Sequence, residues 1–92
     1  KDYQIIFTLH AKLKSETEQI SIDSIEENLR NPKFLQYVEK DNDIKYRLYY
    51  ELSHTIAHKY VIEINNLEKK IKIITVVKLR KKWQKRIEKY VK

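Results

Sequence analysis

No glycine occurs anywhere in the 92 residues. Glycine reaches positive φ without steric cost, so tight turns and helix ends lean on it. An average chain of this length would hold about six at roughly 7% usage. Every turn here has to be built from Asn, Asp, Ser, His or the single Pro. The same absence rules out glycine-rich phosphate cradles, so P-loop and G-x-G-x-x-G enzymes are excluded and no nucleotide cofactor is expected. Cysteine is also missing, which leaves apolar packing, not disulfides or a thiolate metal cluster, to hold the fold. The length fits a single domain over residues 1–92 with one modest core. No apolar run approaches the roughly 20 residues of a membrane span and Lys1-Asp2-Tyr3 opens no signal-peptide pattern, so a soluble, cytoplasmic protein with no membrane partner is expected.

Charge is distributed very unevenly. Lys and Arg total 20 against 13 Asp and Glu, a net +7. Residues Lys78 to Lys92 hold eight basic side chains (Lys78, Arg80, Lys81, Lys82, Lys85, Arg86, Lys89 and Lys92) against the one acid Glu88. Everything before Lys78 sums to zero, 12 basic against 12 acidic. On an ordinary solvated helix, Glu and Lys at i,i+4 balance one another. With the acids nearly gone, the segment attracts polyanions, because each phosphate neutralised releases condensed counterions.

The hydrophobic pattern predicts the element order. Tyr3 to Leu9 reads as a strand, His10 onward as a short helix, and Ser21 as the cap of a second helix whose Ile25 and Leu29 stand at i,i+4. Asn31-Pro32 stops it, since a residue before proline is pushed out of the helical region. Four strands follow. Phe34 to Lys40 and Ile44 to Leu52 are joined by Asp41-Asn42-Asp43. His58 to Ile64 and Ile71 to Leu79 form a hairpin in which Asn65-Asn66 stands in for a glycine at positive φ. In the second strand Ile44, Tyr46, Leu48, Tyr50 and Leu52 share one face, and Lys45, Arg47, Tyr49 and Glu51 a wetter one. In the fourth, Ile71, Ile73, Thr75, Val77 and Leu79 are expected on one face and Lys72, Ile74, Val76, Lys78 and Arg80 on the other. Its middle is apolar on both faces, which predicts an interior strand. Trp83, Ile87, Tyr90 and Val91 then repeat at helical spacing, predicting a docked amphipathic helix with basic flanks. The expectation is therefore an α+β domain: an N-terminal strand, two short helices, a four-stranded mainly antiparallel sheet and a basic C-terminal helix.

Two stretches carry a family resemblance. IIFTLHA (5–11) with QISIDSIEENLRNP (19–32), and YVIEINNLEKKIKIITVVKLRKKWQKRIEKY (60–90), resemble the RelE/BrnT group of small α+β toxins that pair with antitoxins. The resemblance covers about half the chain. It implies an endoribonuclease that cuts RNA without a metal, with or without the ribosome, and is neutralised by an acidic antitoxin protein. It also implies catalytic roles: Lys59 falls where a strand arginine binds the scissile phosphate, Arg80 where an arginine stabilises transition-state charge, and Tyr90 at a terminal tyrosine. Lys59 departs from the pattern, because an ammonium cannot grip phosphate with the two-pronged fork of a guanidinium.

The residues themselves offer an RNA-contact set of Arg47, Tyr49, Lys78, Lys81, Lys82, Lys85 and Arg86, the cations for phosphate and the tyrosine for stacking. His10 reads as a polar residue at a helix start. His54 and His58 have the i,i+4 spacing of a helical zinc pair, but along a strand four residues span about 13 Å, so no metal site and no cofactor are expected. Two further readings stay open beside the ribonuclease: a non-catalytic RNA- or DNA-binding module using the basic C-terminal segment, and an interaction domain for an acidic partner protein.

Overall fold

The structure, a computed structural model, describes residues 3–80. The elements are β1 (Gln4–Phe7), α1 (Leu9–Thr17), α2 (Ile22–Arg30), β2 (Leu35–Lys40), β3 (Lys45–Glu51), β4 (Ile56–Asn65) and β5 (Lys70–Arg80). All five strands join one sheet in the order β1-β5-β4-β3-β2. The pairs β2–β3, β3–β4 and β4–β5 are antiparallel, whereas β1 lies parallel to β5, with Gln4 opposite Lys70 and Phe7 opposite Ile73. This corrects the expected four-stranded, mainly antiparallel sheet with a separate first strand. The first strand is the fifth member of a mixed sheet, because the backbone N–H and C=O groups on the side of β5 that β4 leaves unpaired need hydrogen-bonding partners. The described fold ends with β5 at Arg80, and the basic helix expected from Trp83 onward lies outside the described residues.

Glycine-free turns are made by side-chain oxygens. Three four-residue connections link β2 to β5, and each has an acceptor at or near its start. Asn42 Oδ1 accepts from the Ile44 and Lys45 N–H at 2.9 Å. Ser53 Oγ accepts from Ile56 N–H at 3.1 Å, and Asn65 Oδ1 from Glu68 N–H at 3.0 Å. These bonds mimic a backbone turn and stabilise it locally. Positive φ is met at Gln19 (58°) and Lys69 (55°), so the left-handed residue of the last hairpin is Lys69 and not the expected Asn65-Asn66. Gln19 stands after α1 where glycine is usual. Its N–H reaches Glu16 O at 3.1 Å, and Ile20 N–H reaches Ser15 O at 2.8 Å, the paired bonds that close a helix through a left-handed residue.

Both helices lie on one face of the sheet. Ala11, Ile20 and Ile25 from the helical layer are buried with Tyr50, Tyr60, Ile62, Ile73 and Val76 from β3, β4 and β5. Ile73 and Val76 are three apart, and strict alternation cannot put both on one face. A bulge resolves this. Val61 pairs with Thr75 but Ile62 pairs with Ile73, so Ile74 is extra and reverses the facing of everything after it. The expected single apolar face Ile71-Ile73-Thr75-Val77-Leu79 is thereby corrected. Val76 joins the helix side, while Val77 and Leu79 pack on the opposite face with Tyr37, Tyr49 and Ala57. The interior position expected for β5 is found, between β1 and β4.

Thr8 fastens the bulge to the helical layer. As N-cap of α1 its Oγ1 accepts from Ala11 N–H at 3.0 Å and donates toward Ile73 O at 3.1 Å and Ile74 O at 3.2 Å. Thr8→Ala removes the cap and this link together and is expected to cost about 1–2 kcal/mol in urea unfolding. Lys69→Gly should shift the midpoint the other way, by about 0.5–1 kcal/mol, since it relieves the left-handed strain of a side-chain-bearing residue.

Candidate nucleic-acid interface

The strand register defines two surfaces on which the sequence-predicted residues fall. On the face opposite α1 and α2, Arg47 of β3 lies opposite Glu39 and Val61, and Tyr49 lies opposite Tyr37 and Lys59. Lys59 in turn faces Val77 of β5. Arg47 is drawn to the β2 end by Asp41, at 3.2 Å, and Glu39, at 3.6 Å. Tyr49 packs on Tyr37 with ring centroids 5.3 Å apart and planes tilted by 36°, and its hydroxyl donates toward Glu39 Oε1 at 3.4 Å. Only 5% of Tyr49 is exposed. Burial, and then the nearby Glu39 carboxylate, push its hydroxyl pKa above the ordinary tyrosine value. Tyr49 is thus a packing residue of this face, and Tyr37 the more open ring.

The bulge sends the other strand cations to the opposite side. Lys78 pairs with His58 and Arg80 with Ile56, in alternation with the buried Val76 on the helix side. Lys59 and Arg80, which the family resemblance brings to one phosphate, therefore point to opposite faces of the sheet. Lys78 is anchored through its backbone: its N–H donates to Glu18 Oε1 at 2.9 Å, while Lys14 Nζ reaches Glu18 Oε2 at 3.3 Å. The Lys78 backbone hydrogen bond holds the Glu18 carboxyl below its usual pKa, against an opposing contribution from burial and with help from Lys14. Lys81, Lys82, Lys85, Arg86 and Tyr90 lie outside the described residues.

Beneath Lys78 runs a buried polar chain that the sequence pattern did not reveal. Asn28 of α2 donates through Nδ2 to the Tyr60 hydroxyl at 2.8 Å, and that hydroxyl meets His58 Nδ1 at 3.0 Å. The Tyr60 hydroxyl accepts from Asn28 and shares a second hydrogen bond with His58 Nδ1, in which the donor is set by the imidazole tautomer. Burial, and then the charge of Lys78, push the His58 pKa down to about 4, and burial raises Tyr60 to about 12. A signal was present: His58 and Tyr60 stand two apart in a strand, and Asn28 interrupts the apolar stripe of α2 between Ile25 and Leu29. His58 sits inside β4 with its Nδ1 hydrogen-bonded to Tyr60. Among the described residues no three His, Cys, Asp or Glu side chains gather where they could hold a metal ion, and no helix is long and apolar enough to cross a membrane.

Comparison with known proteins finds no matching family model, curated protein or solved structure.

The neutral histidine has a measurable consequence. Above pH 6.5 both folded and unfolded chains carry His58 uncharged, so it contributes no pH dependence there. As pH falls below 6.5 the unfolded chain takes up a proton that the folded chain refuses until about pH 4, so stability drops across that window. Urea unfolding of the protein should show this fall, and His58→Phe should flatten it even though the variant is less stable overall.

Proposed function

We propose that the protein is a nucleic-acid-binding domain that grips the phosphate backbone of RNA with the basic run from Lys78 to Lys92. The observation that carries this reading is the charge count: eight basic residues against one acid in that run, on a chain that is otherwise neutral. A surplus of this kind, concentrated in one short stretch of the sequence, binds polyanions through counterion release and needs no base-specific geometry. Arg47, Tyr37 and Lys59 line the face opposite α1 and α2, where a cation and an open ring suit backbone contact and stacking. The RelE/BrnT-like ribonuclease is the less favoured reading, since it asks Lys59 and Arg80 to act on the same phosphate and strand alternation directs them to opposite faces. An acidic antitoxin-like protein would be drawn by the same charge, and competition with RNA would report it.

Fluorescence anisotropy with a labelled single-stranded RNA tests the proposal. The dissociation constant should climb steeply with salt, its logarithm rising by roughly 0.7 per phosphate neutralised for each unit of log salt. Replacing Lys81, Lys82, Lys85 and Arg86 by Gln should lower that slope by roughly 3, with the RNA intact on a gel throughout. An unchanged slope would reject the assignment, and cleaved RNA would return the ribonuclease reading to the front.

A further inference from the structure

We propose that the outer edge of β1, with the groove between it and the end of α2, receives an extended segment of a partner protein. That segment pairs with β1 through its backbone, places an aliphatic side chain in the groove and presents a carboxylate to Arg30. This does not rest on the nucleic-acid reading, since it uses a different part of the molecule.

The backbone of β1 supplies the first argument. Gln4 N–H donates to Lys69 O at 2.9 Å and Thr8 N–H to Ile73 O at 3.2 Å, so these residues direct their hydrogen-bonding groups at β5. Alternation along a strand turns the N–H and C=O of Ile5 and Phe7 the other way. That side is the sheet edge, and among the described residues no strand lies beyond it. The opposite edge differs: β2 is broken by a bulge at Gln36 and ends in Lys40, both features that discourage strand addition. β1 has no such irregularity.

The groove beside this edge supplies the second argument. Tyr3, Ile5, Leu29, Arg30 and Ile71 enclose about 380 Å³, bounded on one side by β1 and on the other by the last turn of α2. Its walls are aliphatic except for the Tyr3 ring and the Arg30 guanidinium. Arg30 is exposed, and no carboxylate among the described residues lies within ion-pairing distance of it. A strand laid along β1 projects alternate side chains onto the helix side of the sheet, where Ile5 and Leu29 meet. An aliphatic residue entering there puts the side chain two positions along on the same side. A carboxylate at that position complements the guanidinium. Main-chain bonds give such a complex its affinity, and the side-chain pocket and the charge give it selectivity.

The capped peptide acetyl-Thr-Val-Leu-Val-Glu-Thr-amide, fluorescently labelled, and its counterpart with Lys in place of Glu test this on the full chain. The acidic peptide is expected to bind saturably and to shift the Ile5 and Phe7 amide resonances of ¹⁵N-labelled protein. The substitution Arg30→Glu, at an exposed position that leaves the core intact, should weaken the acidic peptide about five- to tenfold and strengthen the lysine peptide correspondingly. Absence of saturable binding, resonance shifts confined to other strands, or equal binding of both peptides by both proteins would each overturn the proposal. Loss of RNA binding in the salt experiment would leave it standing.

Discussion

The single extra residue Ile74 governs how this sheet is used. An interior strand eleven residues long, flanked by β1 and β4, has two faces to bury, and among the described residues α1 and α2 cover one of them. By slipping one residue, β5 gives Ile73 and Val76 to the helical core and hands Val77 and Leu79 to the small cluster around Tyr49 on the far side. A slip of this kind leaves an unpaired residue, and its carbonyl and that of Ile73 are taken up by the Thr8 hydroxyl. Because Thr8 is also the cap that starts α1, the same oxygen fixes where the helix begins and where the strand changes face. The helical layer and the sheet are registered to each other at that atom.

Much of the architecture is legible in the sequence because local chemistry dictates it. Ser21 stands where a cap belongs and accepts from Ser24 N–H, and α2 stops before Pro32 as a proline requires. The alternation of β3 is clean, and Tyr46, Leu48 and Tyr50 face the helices as that pattern demands. What escapes the sequence is non-local. Nothing in Gln4 to Phe7 tells that the strand will lie parallel to a partner 66 positions away. The bulge at Ile74 is invisible because isoleucine suits either face, and an error of one residue there reverses Val77, Lys78, Leu79 and Arg80 together. Propensity points to asparagine for the left-handed residue of the last turn, whereas the four-residue loop places it at Lys69.

The candidate site was less legible than the fold, and for the same reason. Residue type suggests Arg47, Tyr49 and Lys78 as RNA contacts and the family resemblance adds Lys59 and Arg80, yet grouping in space depends on strand parity. Arg47 and Lys59 remain together on the face opposite α1 and α2, Tyr49 proves to be buried packing, and Lys78 is tied through its backbone to Glu18 at the end of α1. The Asn28–Tyr60–His58 chain beneath it needed three elements to be brought together before it existed at all.

The pairing of the first strand with the last sets the order of events when the chain is made. β1 is made before the strand it must join, which ends at Arg80, so its place in the sheet is not available until β5 follows. Until β5 arrives, the sheet is a β2–β3–β4 meander lacking its helix-bearing side, with Ile5 and Phe7 uncovered. The antiparallel hairpins can form from local contacts, but closing β1 onto β5 spans nearly the whole described chain and carries the corresponding loop-closure cost. The nascent first strand therefore stays open to other segments until β5 has been made.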